Sequence, residues 1–285
     1  MMPLCFREVY ESKAVGVREL LGPAALGFGE EAVHDLRVEI KRLRAFFDLV
    51  EDCNRLFCGR DQFKPIRVLF KAAGSLREVQ VDLSLAKAKS AALHLDLDEY
   101  RNELKGEELR ARRKFAAAAA DFEPGLFLER EEAISLALAG LDLPYLRSRT
   151  EAFFEKLVAD LMRLKQPGGD RTTLHKIRIQ TKKTRYVLEV LQKCFRPDEA
   201  RLKDLNDSLR AVHQALGQWH DLQLSLASAR VFLDEKAVRP LAHEDSYAAY
   251  VQELQADSDR NLGDFDKAWE GMAGWARVEP GVQPL

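Results

Sequence analysis

The chain has 285 residues, of which 46% are hydrophobic and 32% charged, and a formal net charge of −2 at pH 7. That composition suits a soluble globular chain of one large domain or two smaller ones. No apolar run approaches the roughly 18 residues that span a bilayer, and the opening MMPLCFREVY lacks the charged and apolar regions of a secretory signal. A cytoplasmic location is therefore expected.

Few prolines and glycines among abundant Ala, Leu, Glu, Arg and Lys predict helices throughout. A first amphipathic helix is expected over Leu4–Leu21, broken by Gly22-Pro23. The next should run from about Glu30 to Glu51, with Glu30 and Glu31 favouring the positive end of its dipole. After a break at Gly59, a helical stretch should cover Asp61–Ala92. Gly74 interrupts its pattern at a cost of about 1 kcal/mol against alanine, which suggests close packing or the approach of a ligand. Further helices are expected over Asp96–Ala120 and on to Ala139, and then a boundary between two halves at Gly140–Pro144. The second half should open with Tyr145–Lys165, ended by Pro167-Gly168-Gly169. Asp170, Thr172 and Thr173 are each suitable N-caps for a helix reaching Phe195. A helix from Glu199 should pass through Leu216–Leu224 to about Leu233, and a final one should cover Ser246–Trp269 after a loop at Pro240. From Gly274 on there is little pattern. No stretch alternates with period two, so the fold class is all-α.

One helix pattern occurs twice. Val33–Arg44 reads VHDLRVEIKRLR and Leu174–Arg185 reads LHKIRIQTKKTR, an ungapped match offset by 141 residues. At about 100° per residue, His34, Arg37, Lys41 and Arg44 fall within an arc of about 80°. His175, Arg178, Lys182 and Arg185 do the same. Val33, Leu36, Ile40, Leu43, Phe47 and Val50 take the adjoining arc, so each cationic stripe borders a buried face. Arg42 and Lys183 project to the other side of their histidines, at the edge of the stripe or in solvent. An exposed helix face with intrahelical ion pairs would look similar, but Glu189 is the only acid between Leu174 and Arg196. Repetition of the same cations at the same spacing favours a polyanion site.

Local charge agrees. Asp170–Arg196 holds eight Lys/Arg and two acids, whereas Glu244–Glu270 holds eight acids and two Lys/Arg. The run Arg110–Lys114 scatters its charges around a helix and reads as solvated. His94, His213 and His243 earn no functional assignment, and Trp219 reads as core. Cys5, Cys53, Cys58 and Cys194 form no C-x-x-C pair, so zinc is not expected and reduced thiols are. H-x-x-R offers no second ligand at i+4, so no metal site and no cofactor are expected.

The two helices resemble the signature of the CHAD (conserved histidine α-helical domain) family. Each is followed by an element similar to that family's L-G-x-x-Arg-Asp: AGSLREVQV at Ala73–Val81 and LGQWHDLQL at Leu216–Leu224. Glu78 stands where Asp is usual, and His220 where Arg is common. The resemblance implies two tandem helical-bundle repeats, about 1–140 and 141–285, related by a pseudo-two-fold axis around a basic central groove. It implies inorganic polyphosphate as the ligand. Arg77 and His220 would join the two stripes in binding, and the protein would associate with polyphosphate granules. A phosphohydrolase or phosphotransferase is the alternative, but the chain has no G-x-x-x-x-G-K-S/T loop, no E-x-E-x-K motif and no carboxylate cluster beside the stripes for magnesium. An RNA- or DNA-binding helical protein would need interleaved surface aromatics, which are missing. A membrane partner is not expected.

Overall fold

The computed structural model describes residues 2–164, 170–196, 199–236 and 243–278, and every regular element among them is helical. The order is α1 (Leu4–Gly27), α2 (Glu30–Cys53), α3 (Gly59–Phe63), a 3-10 turn (Lys64–Ile66), α4 (Arg67–Leu93), α5 (Asp98–Ala120), α6 (Leu126–Leu138), α7 (Leu143–Leu164), α8 (Arg171–Phe195), α9 (Glu199–Lys236) and α10 (Glu244–Val278). No helix among the described residues is long and apolar enough to cross a membrane.

Local chemistry accounts for three of the boundaries. Asp170 is the N-cap of α8, its carboxylate accepting the Thr173 N–H at 2.8 Å. Pro65 offers no N–H to a helix ladder, and the stretch expected as one helix from Asp61 is divided there by the 3-10 turn. Gly140, at φ +80°, makes the turn before α7. Two expectations are corrected. Gly22-Pro23 does not end α1, which continues to Gly27 with Pro23 inside it. The lost proline hydrogen bond is offset by burial of Ala24, and Phe28, in the left-handed conformation, donates its N–H to Ala24 O at 3.1 Å. Likewise α10 does not stop at Trp269, which is buried, but runs on to Val278. The predicted breaks at Pro167–Gly169 and Pro240 lie outside the described residues.

The apolar stripe of α2 is wholly interior: Val33, Leu36, Ile40, Leu43, Phe47 and Val50 are each 0% exposed. It packs against α1, α4, α7 and α8. In α8 the interior positions include Thr181 and Thr184, whose hydroxyls donate to Ile177 O and Gln180 O at 2.8 and 2.9 Å. Polar side chains thus enter the core with their hydrogen bonds satisfied. Hairpins α4–α5 and α9–α10 meet through α4 and α9 and enclose a second core around Tyr100, Phe232, Tyr247 and Tyr250. Asp82 lies inside that core and accepts from Tyr100 OH at 2.9 Å. Helices α2, α4, α8 and α9 therefore converge in the middle of the molecule.

The expectation of four reduced thiols is also corrected. Cys5 and Cys194 form a disulfide that joins the first turn of α1 to the last turn of α8 across 189 residues. Folding brings them together; no local spacing announces it. Cys53 and Cys58 are free.

Candidate functional site: a cationic convergence of four helices

Two cations of the first stripe, Arg37 and Arg44, are held by α4 and by the segment just before it. Arg37 Nη1 donates to Phe70 O at 3.0 Å, and its guanidinium lies 4.8 Å from the Phe70 ring centre. It rests on Gly74 so closely that a Cβ there would collide with Arg37 Nη1. Gly74 thus gives the guanidinium the space that a side chain would otherwise take. One heptad on, the exposed Arg44 stacks over Phe63 at 5.2 Å. Arg77, from α4, pairs with Glu30 at 2.6 Å and lies near enough to His34 to depress the imidazole's pKa. His34 itself stands at the exposed end of the stripe.

The second stripe is held by α9. Arg185 Nη1 donates to His213 Nδ1 at 2.7 Å, which places the His213 ring proton, if neutral, on Nε2. The ring of His175 is 5.2 Å from that of His220. Arg178 is partly buried, and its Nε has no hydrogen-bond partner. Gly217, the counterpart of Gly74, faces open space instead of a guanidinium.

The two stripes share one electrostatic environment. Burial, together with Arg37, Arg178 and Arg77, pushes the Lys41 amine down to about 7. Burial, then Lys41, Arg178 and Arg37, pushes Lys182 down to about 6. His213 and His220 are both driven to about 3, chiefly by burial and then by Lys182 and Arg178 respectively. Burial also lowers His34 and His175. Two acids temper this field, at the positions equivalent to one another in the repeat. Asp221 favours the charged forms of Arg178, Lys182 and Lys41, although its own burial raises its pKa, and Glu78 acts mainly on Arg37. Among the described residues no carboxylate comes within ion-pair distance of Arg37, Lys41, Arg178 or Lys182. A partly buried group of cations without adjacent counter-ions is costly for the empty protein and suited to an anion that supplies the missing charge.

Two candidates are placed differently. Arg42 pairs with Glu39 at 2.5 Å and with Glu189 at 3.0 Å, and Lys183 pairs with Asp48 at 2.8 Å while lying over Phe153. Both are committed to fastening α2 to α8. His213, for which the sequence offers no functional assignment, packs beside these cations as a neutral partner of Arg185. Its signal was present: His213, Gly217 and His220 recur at i, i+4 and i+7 and so share one face of α9. His94 caps α4 in the left-handed conformation, His243 pairs with Asp96 at 3.1 Å, and Trp219 is buried, all as structural residues. Arg112, in the run read as solvated, pairs with Glu108 at 2.7 Å. No group of three His, Cys, Asp or Glu among the described residues could hold a metal ion.

Comparison with known proteins agrees with this architecture. The crystal structure of the CHAD domain from the plant Ricinus communis superposes with a TM-score of 0.72 at 20% identity, covering 99% of this chain and 92% of that one. PptA from Streptomyces chartreusis gives a TM-score of 0.62 at 14% identity, covering 93% of this chain and 98% of its own. At those identities the likeness is one of fold. No curated protein matches by sequence. The family model of the CHAD domain matches residues 20–230, which include both histidine helices and both glycine-containing elements. The chain belongs to the CHAD domain family.

Proposed function

We propose that this protein binds inorganic polyphosphate, without catalysis, in a groove lined by α2, α4, α8 and α9. The observation that carries the reading is the group Arg37, Lys41, Arg178 and Lys182: four cations from two helices, partly buried, in one another's field, with no carboxylate at ion-pair distance. A phosphate chain offers closely spaced negative charges and many acceptor oxygens. Arginine meets these with a planar fork and lysine with a compact point charge. A flexible chain can follow side chains recessed between helices, where a rigid duplex cannot.

In this reading the two halves, about 1–140 and 141–285, are related by a pseudo-two-fold axis that passes between α2 and α8. The reciprocal pairs Arg42–Glu189 and Lys183–Asp48 support it, because the 141-residue offset carries Arg42 forward to Lys183 and Glu189 back to Asp48. Such reciprocity is the mark of a two-fold contact. His34, Arg37, Lys41, Arg44 and Arg77 would bind from one half, and His175, Arg178, Lys182, Arg185, His213 and His220 from the other. The protein would act in the cytoplasm and could gather on polyphosphate granules.

Parallel titrations with long-chain polyphosphate, pyrophosphate and single-stranded RNA test the reading, together with an assay for phosphate release. Tight binding of polyphosphate, weaker binding of the other two and no release are expected. Preference for RNA, or steady release of phosphate, would overturn it.

A further inference from the structure

Beyond the groove lies a second cationic surface. Arg60 in α3, Lys64 in the 3-10 turn, and Arg67 and Lys71 in the first turns of α4 are all exposed. Among the described residues none of the four meets a carboxylate. Elsewhere several helical cations are neutralised within their own helix. Arg112 pairs with Glu108, Arg163 with Asp160, Arg147 with Glu151 and Lys267 with Asp264, each three or four residues away. Around Arg60, Lys64, Arg67 and Lys71 the only acid at such a spacing is Asp61, three before Lys64, and it makes no pair with it. The intrahelical neutralisation normal for a solvated face is missing here.

The surface also adjoins the groove. On α4, Arg67 and Lys71 lie within about 60° of Gly74 by helical arithmetic, and Gly74 is where Arg37 crosses. Arg44, the outermost cation of the α2 stripe, stacks on Phe63, between Arg60 and Lys64 in the chain. Cations thus continue from Arg37 past Arg44 onto the segment before α4. The other half has no equivalent. The 143-residue offset between Gly74 and Gly217 places Lys203, Asp207, Arg210 and Gln214 opposite Arg60, Lys64, Arg67 and Lys71. An acid and an amide there replace two of the four cations.

Resting on the polyphosphate reading of the groove, we propose that Arg60, Lys64, Arg67 and Lys71 form a one-sided ramp that binds the part of a long phosphate chain projecting from the groove. The ramp makes the protein selective for long chains, and it makes the bound chain overhang on the α4 side rather than the α9 side. Triphosphate, confined to the groove, does not reach it.

The test compares wild type, Lys64→Gln/Arg67→Gln/Lys71→Gln, and a control of equal charge change on α5, Arg110→Gln/Arg113→Gln/Lys114→Gln. Each is titrated with triphosphate, long-chain polyphosphate and single-stranded RNA over a range of salt concentrations, and circular dichroism monitors the fold. The ramp variant should lose about tenfold or more in long-chain affinity at low salt, and its slope of log Kd against log salt should fall by about 2. Its triphosphate affinity should stay within about twofold of wild type, and the control should match wild type throughout. Wild-type long-chain affinity and slope in the ramp variant would overturn the ramp while leaving the groove reading intact. So would an equal loss of triphosphate affinity, because the three cations would then be acting on the groove itself. A loss confined to RNA would assign the surface to a different polyanion and also overturn the proposal. If wild type bound neither phosphate ligand, the groove reading would fall and the ramp with it.

Discussion

Arg42 Nε lies 3.0 Å from Glu189 Oε2 across the α2–α8 contact, and Lys183 Nζ repeats the relationship with Asp48 Oδ2 at 2.8 Å in the opposite sense. Each helix contributes one cation and one acid to its partner. The pairs lie beside Lys41 and Lys182 in sequence, yet they have the reverse electrostatic character: paired cations that hold the helices, next to lysines with no carboxylate at ion-pair distance among the described residues.

That division predicts separable effects. Each pair is about one-third exposed and is worth about 0.2–1 kcal/mol, with about 0.5–1 kcal/mol more from Lys183 over Phe153. Arg42→Ala with Lys183→Ala should lower unfolding stability by about 1–2 kcal/mol and leave triphosphate affinity within about threefold of wild type. Urea denaturation and calorimetric titration measure the two. A large loss of affinity at unchanged stability would return both side chains to the binding surface.

The two glycines of the repeated element should respond differently to alanine. At Gly74 a Cβ meets Arg37 Nη1, so Gly74→Ala must push that side chain off Phe70, a loss that should offset the gain of about 1 kcal/mol in helix propensity. At Gly217 the space is open, and alanine should raise stability by about 1 kcal/mol through helix propensity. Thermal unfolding of the two variants checks the pair. A gain from Gly74→Ala equal to that from Gly217→Ala would mean that Arg37 does not pack on α4.

The pH dependence belongs to lysines rather than to histidines. The unfolded chain keeps both amines near their ordinary value of 10.5, whereas in the fold Lys41 falls to about 7 and Lys182 to about 6. Between the folded and unfolded values the unfolded chain holds more protons, so the ligand-free protein should gain stability as pH rises from about 6 towards 10. Bound phosphate favours the charged amines and must recruit protons to them. Affinity should therefore fall as pH rises above about 7, by up to about tenfold per unit for each lysine. His213 and His220, at about 3, and the lowered His34 and His175 add their protons only at more acidic pH. Calorimetry at pH 7.5 in buffers of different ionisation enthalpy should show proton uptake on binding; its absence would mean that both lysines are already charged.

Much of this was legible in the chain because it depends on helical period. The 3.6-residue repeat placed Val33, Leu36, Ile40 and Leu43 inside and His34, Arg37 and Lys41 on the bordering arc, and Asp170 was readable as a cap. Relations between distant helices were not. That Arg42 and Lys183 would find Glu189 and Asp48 depends on how α2 crosses α8, and one helix wheel holds no information about its partner. His213 gained its place from Arg185, 28 residues away. The Cys5–Cys194 bond needed the chain termini of two helices to meet, and Pro23 was read by its propensity when packing of Ala24 decided the outcome.

Reduction of Cys5–Cys194 should lower stability by about 2–5 kcal/mol, since the bond closes a 189-residue segment and restricts the unfolded chain. Cys5→Ser with Cys194→Ser should reproduce the loss, and further reductant should then have no effect. The disulfide lies at the far end of α8 from His175, so triphosphate affinity should change little below the melting transition. A stability identical in oxidised and reduced protein would show that the two cysteines are not joined in solution.

The last prediction asks whether the stripes act as one site. If they bound separately, removing Arg37 and removing Arg178 would have independent effects on a short anion. Yet Arg178 lies within the field of Arg37, and Lys41 and Lys182 lie within the fields of both. A triphosphate placed among these four cations should engage both helices at once. A double-mutant cycle of Arg37→Ala and Arg178→Ala, read as triphosphate Kd, should then depart from additivity by about 0.5–3 kcal/mol, the range for residues that share a partner. Arg178→Ala also relieves repulsion among the cations that remain, so its ligand-free stability should rise or hold while affinity falls, whereas Arg37→Ala gives up the Phe70 contacts as well. A cycle that closes to within about 0.3 kcal/mol would show two independent half-sites, and the shared groove would have to be abandoned.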